Sequence, residues 1–345
     1  TAVRPLPSSE KVNSVAWQKT VEYKGSAYCF SGTGRTMFVS SIANPYGNDW
    51  STADVTLPFD PDHGSIAASS DALYMLDSDG NLYSSANGLN WTSCGVKWKT
   101  IYGGYQNCVL GLMQDGASFK TVTYPATVSA VADVDFPVSG TSMPVLFSTD
   151  WQVQPQAIMV GGVKANGQLT GATWAYDGKG WMKISRADLP AREGMCFFPY
   201  FTFRSMGAIE WQVTKFTAWI AFGGKTSDGK CDNEVYVSLD AGMNWKKADQ
   251  SLQLPDYIPG MYGAQALVFT SVLSGRASSL WTPMPDRKLP VWCQIARTVG
   301  SRAVSPIEQW DCPYIYVFGG YDEDGDLHET IWRGVINRLS FKPIQ

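Results

Sequence analysis

"GGKTSDGKCDNEVYVSLDAGMNWKK", residues 223–247, carries two turn signals in one run of chain. It opens on a glycine pair, turns at Asp228-Gly229, reaches an aromatic at Tyr236, and closes on Ser238-x-Asp240-x-Gly242-x-x-Trp245. The apolar run "WIAF" before it reads as a strand that ends where no side chain fits. Asp-Gly suits the positive φ of a tight hairpin turn, so the chain returns along a second strand. The final Trp245 has the bulk to fill the space between neighbouring sheets.

Two further segments align with this one without gaps, "GGVKANGQLTGATW" from Gly161 and "GGYDEDGDLHETIW" from Gly319. Each reads Gly-Gly-x-x-x-[Asn/Asp]-Gly, then six residues, then an aromatic, and each follows an apolar run. The pairs are Gly161-Gly162, Gly223-Gly224 and Gly319-Gly320. Upstream the devices persist in worn form, in "LDSDGNLYSSANGLNW", "LMQDGASF" and "NPYGNDW". Pro7, Pro58, Pro137, Pro190 and Pro255 fall between units, where proline ends a strand without breaking a ladder. The divisions give six units, 7–57, 58–96, 97–136, 137–189, 190–254 and 255–345, in one domain of 345 residues. Four short strands per unit and almost no helical periodicity predict an all-β, six-bladed β-propeller of four-stranded antiparallel blades, with five or seven blades as the alternatives.

The glycine-pair pattern resembles kelch repeats, most clearly over 137–345. Ser238-x-Asp240-x-Gly242-x-x-Trp245 resembles the Asp-box of sialidase-type (BNR-like) propellers, and the Trp-rich whole resembles propeller domains of secreted or cell-surface bacterial proteins, those of gut Bacteroides included. In the families it resembles, the Asp-box is a fold element remote from catalysis. The other units lack its acid, with Ala86, Pro45 and Tyr176 at that place. A sialidase resemblance would imply an arginine triad, a Tyr/Glu nucleophile pair and an acidic Asp. The Arg-Ile-Pro marker is missing, since "DRKLP" and "SRAVSP" are not it, so no arginine is carried over. A kelch-type copper oxidase would need two His ligands with Tyr and Cys, and His63 and His328 lie at opposite ends of the chain.

A net charge of −4 without a block of like charge disfavours nucleic acid and anionic membranes. No run of 18 apolar residues suggests a membrane span, and "TAVRPLPSSE" lacks the regions of a signal peptide. Seven cysteines form no C-x-x-C pair and read mostly as small buried hydrophobes. A Trp- and Gly-rich, charge-poor composition leans extracytoplasmic, at the periplasm, the cell surface or beyond. "DSDGN" (Asp77, Asp79) and "DEDGD" (Asp322, Asp324, Asp326) have the alternation of calcium loops. They occupy the place of "KANG" and "TSDG" in sister units and so read as hairpins; no metal or cofactor is expected.

The informative places are the interruptions. The fifth unit inserts "FRSMGAIEWQVTK", and the sixth inserts about residues 271–313, both between first and second strands. Insertions in repeat proteins gather on loop faces and form binding surfaces there. These carry Trp211, Trp281, Arg287, Trp292 and Trp310, of the residue types richest at binding hot spots. The opposite face, with Arg35, Arg192 and Tyr257, ranks second. The expected function is a non-catalytic module that recognises a glycan or a protein. The competing class is a sialidase-like glycoside hydrolase or lyase with carboxylates around the central channel.

Overall fold

The computed structural model describes residues 4–5, 20–24, 26–30, 36–41, 51–55, 57, 65–105, 108–113, 117–121, 129–130, 135–142, 157–176, 180–206, 212–250, 253–254, 256, 258–269, 314–328 and 332–335. Strand β1 (Arg4–Pro5) pairs far from its sequence neighbours. The first sheet orders β2 (Thr20–Tyr23), β3 (Ser26–Phe30), β4 (Thr36–Ser41) and β5 (Ser51–Asp54). The second has β6 (Ser65–Ala68), β7 (Leu73–Leu76), β8 (Asn81–Ser85) and the start of β9 (Thr92–Tyr105). The rest of β9 joins β10 (Cys108–Met113), β11 (Ala117–Thr121) and β12 (Ser129–Ala130) as the third. The fourth orders β13 (Pro137–Ser139), β14 (Ala157–Lys164), β15 (Leu169–Tyr176) and β16 (Trp181–Lys183). A short ladder of β17 (Arg192–Glu193) with β20 (Lys225–Thr226) flanks the fifth sheet, β18 (Cys196–Met206), β19 (Gln212–Phe222), β21 (Val235–Ser238) and β22 (Lys246–Lys247). The sixth holds β23 (Gln265–Phe269), β24 (Tyr314–Phe318) and β25 (Trp332–Val335), with β1 as its outer strand. Among the described residues every strand pair is antiparallel, as expected of an all-β propeller.

Two features of the pairing follow from no local motif. β1 pairs with β25, Arg4 opposite Arg333 and Pro5 opposite Trp332, so the N-terminal strand completes the last sheet. β23 also lies against β2, which brings the first and last sheets together. β9 crosses from the second sheet to the third without a break. Lys97 pairs with Asn81 of β8, whereas Trp98 pairs with Met113 of β10.

Each core cluster is shared by consecutive sheets. Ile158 and Val160 of β14 pack with Phe197, Trp219 and Trp245 of the fifth sheet, while Met159 packs with Tyr102 and Leu112 of the third. Strand side chains alternate between faces, and here both faces are buried. That is why "AIMV" reads as a continuous apolar run instead of an alternation.

The glycine pairs sit where two backbones meet. A Cβ on Gly161 (φ 66°) would lie 2.1 Å from Met195 Cε and 2.9 Å from the Arg192 carbonyl of the next unit. A Cβ on Gly162 (φ 115°) would lie 2.5 Å from the Ser139 carbonyl of its own unit. Gly223 and Gly224 repeat this against Met261 and Glu193, so any side chain there would force the units apart. Gly103-Gly104 is a different device: it lies in β9, at the end of a first strand, where a Cβ on Gly104 would meet the Ala68 carbonyl at 1.7 Å.

Candidate functional site

The turn at Ser238–Trp245 is a closed hydrogen-bonded staple. Ser238 Oγ donates to Asp240 Oδ1 (2.8 Å) and accepts from Gly242 N (2.9 Å), while Asp240 Oδ1 also accepts from Asn244 N (2.9 Å). Burial pushes Asp240 upward, but hydrogen bonds from Asn244 and Ser238 outweigh it and hold its carboxyl below the ordinary value. Ala241 and Gly242 take φ of 59° and 86°. Trp245 then enters the seam between the fourth and fifth sheets, where its Nε1 donates to Thr173 Oγ1 (2.8 Å) and its ring meets Phe197 edge-on at 5.8 Å. Asp240, Gly242 and Trp245 are therefore fully used in joining two sheets.

The second sheet builds a related turn that its sequence conceals. Ala86 stands at the acid position, yet Asn87 Oδ1 accepts from Leu89 N (2.9 Å) and Asn90 N (3.1 Å), and Ser85 Oγ accepts from Gly88 N (2.9 Å). The carbonyl of Asn87 performs the acid's task one residue later. Trp91 then meets Phe30 of the first sheet at 5.9 Å.

Arg192, expected at a binding face, is 2% exposed and spent inside the fold. Its Nε donates to Pro190 O (3.0 Å), and its Nη1 donates to Gly223 O (2.9 Å) and Asp232 Oδ1 (3.0 Å), with the guanidinium 4.9 Å from the Tyr236 ring centre. The side chain ties the segment entering the fifth sheet to that sheet's glycine pair. Neither its burial nor these partners could be read from "LPAREG".

The acidic turns behave as hairpins. Asp77 Oδ1 accepts from Asp79 N (2.9 Å) and Asn81 N (2.7 Å), and Asp322 Oδ1 accepts from Asp324 N (3.0 Å) and Asp326 N (2.8 Å). An oxygen that already accepts two backbone N–H groups is poorly placed for a hard cation. Millimolar calcium is expected to change stability by less than about 2 kcal/mol; a larger rise in a calcium titration of the melting curve would show a bound ion. Beside the first of these turns, Ser65, Asp79, Trp98 and Lys99 line an open cleft of about 440 Å³. His328 is held in the other hairpin through its backbone N–H, which donates to Gly320 O (2.8 Å).

At the hairpin end of the fourth, fifth and sixth sheets, three glycines with φ between 62° and 71° link the units. Gly194 N donates to Gly140 O (2.8 Å) and Gly263 N donates to Gly194 O (2.7 Å). The residue before each glycine pairs with the residue after the glycine pair: Ser139 with Val163, Glu193 with Lys225, and Tyr262 with Tyr321. The last four form a half-buried strip. Lys225 Nζ stands 5.0 Å from the Tyr262 ring centre, and the Tyr262 and Tyr321 rings are 5.7 Å apart, tilted by 41°. Burial pushes the Glu193 carboxyl above the ordinary value, while the Lys225 charge pulls it down.

The family model for the DUF6242 beta propeller domain matches residues 5–344. The chain belongs to that family. None of the curated proteins matches it. Among solved structures it is similar to YCF48 from Cyanidioschyzon merolae, at 11% identity over 96% of this chain and 98% of that one, with a TM-score of 0.37. The Trypanosoma rangeli sialidase in complex with sialic acid gives 10% identity, 94% and 55% coverage, and a TM-score of 0.44.

In this DUF6242 propeller residues 204–206 and 212–216 of the fifth-unit insertion, expected as a loop, are strand. β18 and β19 pair without interruption from Cys196–Phe222 to Met206–Gln212, but β21 pairs only with Trp219–Phe222. The two-stranded ribbon therefore continues past β21 by the stretch from Tyr200–Ala218 onward, roughly 23 Å at strand rise. β18 runs beside β23, and both start at the linked glycines Gly194 and Gly263. They consequently lead toward the same end of the molecule, where the insertion of residues 271–313 begins just beyond β23. Trp211, Trp281, Arg287, Trp292 and Trp310 lie outside the described residues, as do Arg35 and Tyr257 of the opposite face. The strip Glu193, Lys225, Tyr262 and Tyr321 escaped the sequence reading. Its available signal was a glycine just ahead of an apolar strand, in "VSGTSM", "REGMCF" and "MYGAQAL".

Proposed function

We propose that this propeller, counted as six blades, is a non-catalytic recognition module for a glycan or a protein, acting outside the cytoplasm. The observation that carries the reading is that the β18–β19 ribbon outruns its sheet at the end toward which the adjacent β23 also leads, the strand that residues 271–313 follow in sequence. The two interruptions of the repeat fall in neighbouring units, and Trp211, Trp281, Arg287, Trp292 and Trp310 belong to them. Indole and guanidinium groups supply large contact area and directed hydrogen bonds at binding hot spots. The carboxylates of Asp77, Asp232, Asp240 and Asp322 are engaged with backbone N–H groups or Arg192, which supports binding over acid catalysis.

Replacing residues 274–308 by a short Gly/Ser loop should leave a folded propeller, because stability depends only weakly on loop length. The glycan-array signals that the insertion supplies should disappear in that variant. Trp281→Ala and Trp292→Ala should each weaken binding by at least about 2 kcal/mol without lowering the melting temperature. Unaltered array binding in the replacement and in both point variants rejects this surface. Aggregation of the replacement variant would instead mark the insertion as a plug over apolar sheet ends.

A further inference from the structure

The opposite, hairpin end has a repeated pairing with unlike side chains. In three consecutive units the same two backbone positions are paired beside a linking glycine, yet their side chains diverge, from Ser139 and Val163 to Glu193 and Lys225 to Tyr262 and Tyr321. The frame imposes the same demand on all three, so it does not explain a charged pair next to an aromatic pair. Glu193 sharpens the point. Its carboxylate is half-buried, accepts no hydrogen bond among the described residues, and sits so close to Gly140 that a Cβ there would lie 3.1 Å from Oε2. Its oxygens, beside the Lys225 charge, therefore remain available to accept from a ligand.

We infer that Glu193, Lys225, Tyr262 and Tyr321 form a binding site for a neutral hexose unit of an oligosaccharide. Two tyrosine rings 5.7 Å apart offer apolar surface for the C–H face of a pyranose. A carboxylate takes hydroxyl protons, and an ammonium donates to hydroxyl oxygens, so the pair matches a ring whose hydroxyls do both. The charges of Glu193 and Lys225 cancel locally, so neither an anionic nor a cationic ligand gains from the strip as a whole. An apolar peptide side chain would use the rings but leave the carboxylate unanswered. This site lies at the end where β23 begins, away from its far end at Phe269, and stands independently of the surface proposed above.

The test uses the full chain with neutral gluco-, manno- and galacto-oligosaccharides at millimolar concentration, followed by saturation-transfer NMR and calorimetry. At least one of these series should bind. Glu193→Gln and Tyr321→Ala should each weaken it about tenfold or more, while Lys99→Gln, at the distant cleft of the second sheet, should leave it unchanged. Glu193→Gln keeps the side-chain shape and tests the inference even if Tyr321→Ala does not fold. It also separates recognition from structure. Because the folded-state carboxyl is held above its unfolded value, the charged form costs stability as pH rises through the folded value. The glutamine variant should therefore melt no lower than the parent at pH 7 while binding less. The 274–308 replacement should retain this binding. Absence of binding by all three neutral series, capture only of sialylated, uronate or peptide probes, or full affinity in both Glu193→Gln and Tyr321→Ala overturns the inference. Binding lost in the loop replacement but kept in those two variants also overturns it, and leaves the first surface standing.

Discussion

Trp245→Ala is expected to lower the unfolding free energy by about 3–5 kcal/mol, the cost of deleting a large aromatic from a packed seam. Trp245 is 6% exposed and lies among Ile158, Val160 and Ala175 of the fourth sheet and Phe197, Trp219 and Tyr236 of its own. Its removal leaves a cavity between two sheets and strips Thr173 Oγ1 of its indole donor. Collapse of the cavity is resisted from both sides. Gly242 already approaches Thr173 so closely that a Cβ would lie 2.8 Å from its Cγ2, and Trp245 N is pinned to Ala187 O at 3.0 Å. Equilibrium denaturation should show a lower midpoint with little change in slope. Thr173→Val, which removes only the acceptor, should cost about 1 kcal/mol. A Trp245→Ala midpoint equal to the parent's would mean that the turn does not fasten the sheets.

Arg192→Ala should cost about 3 kcal/mol. That is the lower end for breaking a buried ion pair, chosen because Asp232 keeps 29% side-chain exposure and so regains some solvation. The buried Gly223 carbonyl also loses its donor at the glycine pair where the fifth unit meets the sixth. Arg192→Lys should not rescue it. A single ammonium cannot reproduce the planar fork that reaches Pro190 O, Gly223 O and Asp232 Oδ1 while covering the Tyr236 ring. Full recovery of the denaturation midpoint by lysine would show that only the charge matters. A cost below about 1 kcal/mol for alanine would show that the latch is dispensable.

Much of the scaffold is legible locally. The hairpins at Asn166-Gly167, Asp228-Gly229 and Asp324-Gly325 require positive φ at glycine, 82°, 81° and 89°, and such a demand is written into the dipeptide itself. The all-β class follows from these turns and from short apolar runs between them, and the seam-filling role of Trp245 follows from its place after a closed turn. Other features carry no local signature. Arg4–Pro5 is too short to read as a strand, and acquires that state only by pairing with Trp332–Arg333 at the far end of the chain. The unit boundary inside β9 falls in an unbroken strand, since the partner changes at Lys97–Trp98 while the backbone does not. Asn87 in place of an acid at position 86 shows why motif matching understates the repeat: one side-chain carbonyl can serve from either position.

The candidate sites divide along the same line. The interruptions of the repeat, and the Trp and Arg residues within them, are properties of the sequence. That residues 204–206 and 212–216 become ribbon is decided by pairing partners, because "PYFTFRSM" and "QVTKFTA" suit a strand or an insertion equally until they meet. Arg192 and Glu193 are adjacent in sequence and pair in the same ladder, yet one is enclosed by three acceptors and the other is left half-open beside Lys225. Sequence by itself determined the repeating β-sheet unit, because turn geometry and apolar periodicity are short-range constraints. Ring closure, the burial of Arg192 and the row from Glu193 to Tyr321 were decided only in the tertiary structure, because alternate faces of each strand meet different neighbouring sheets and no local pattern records which.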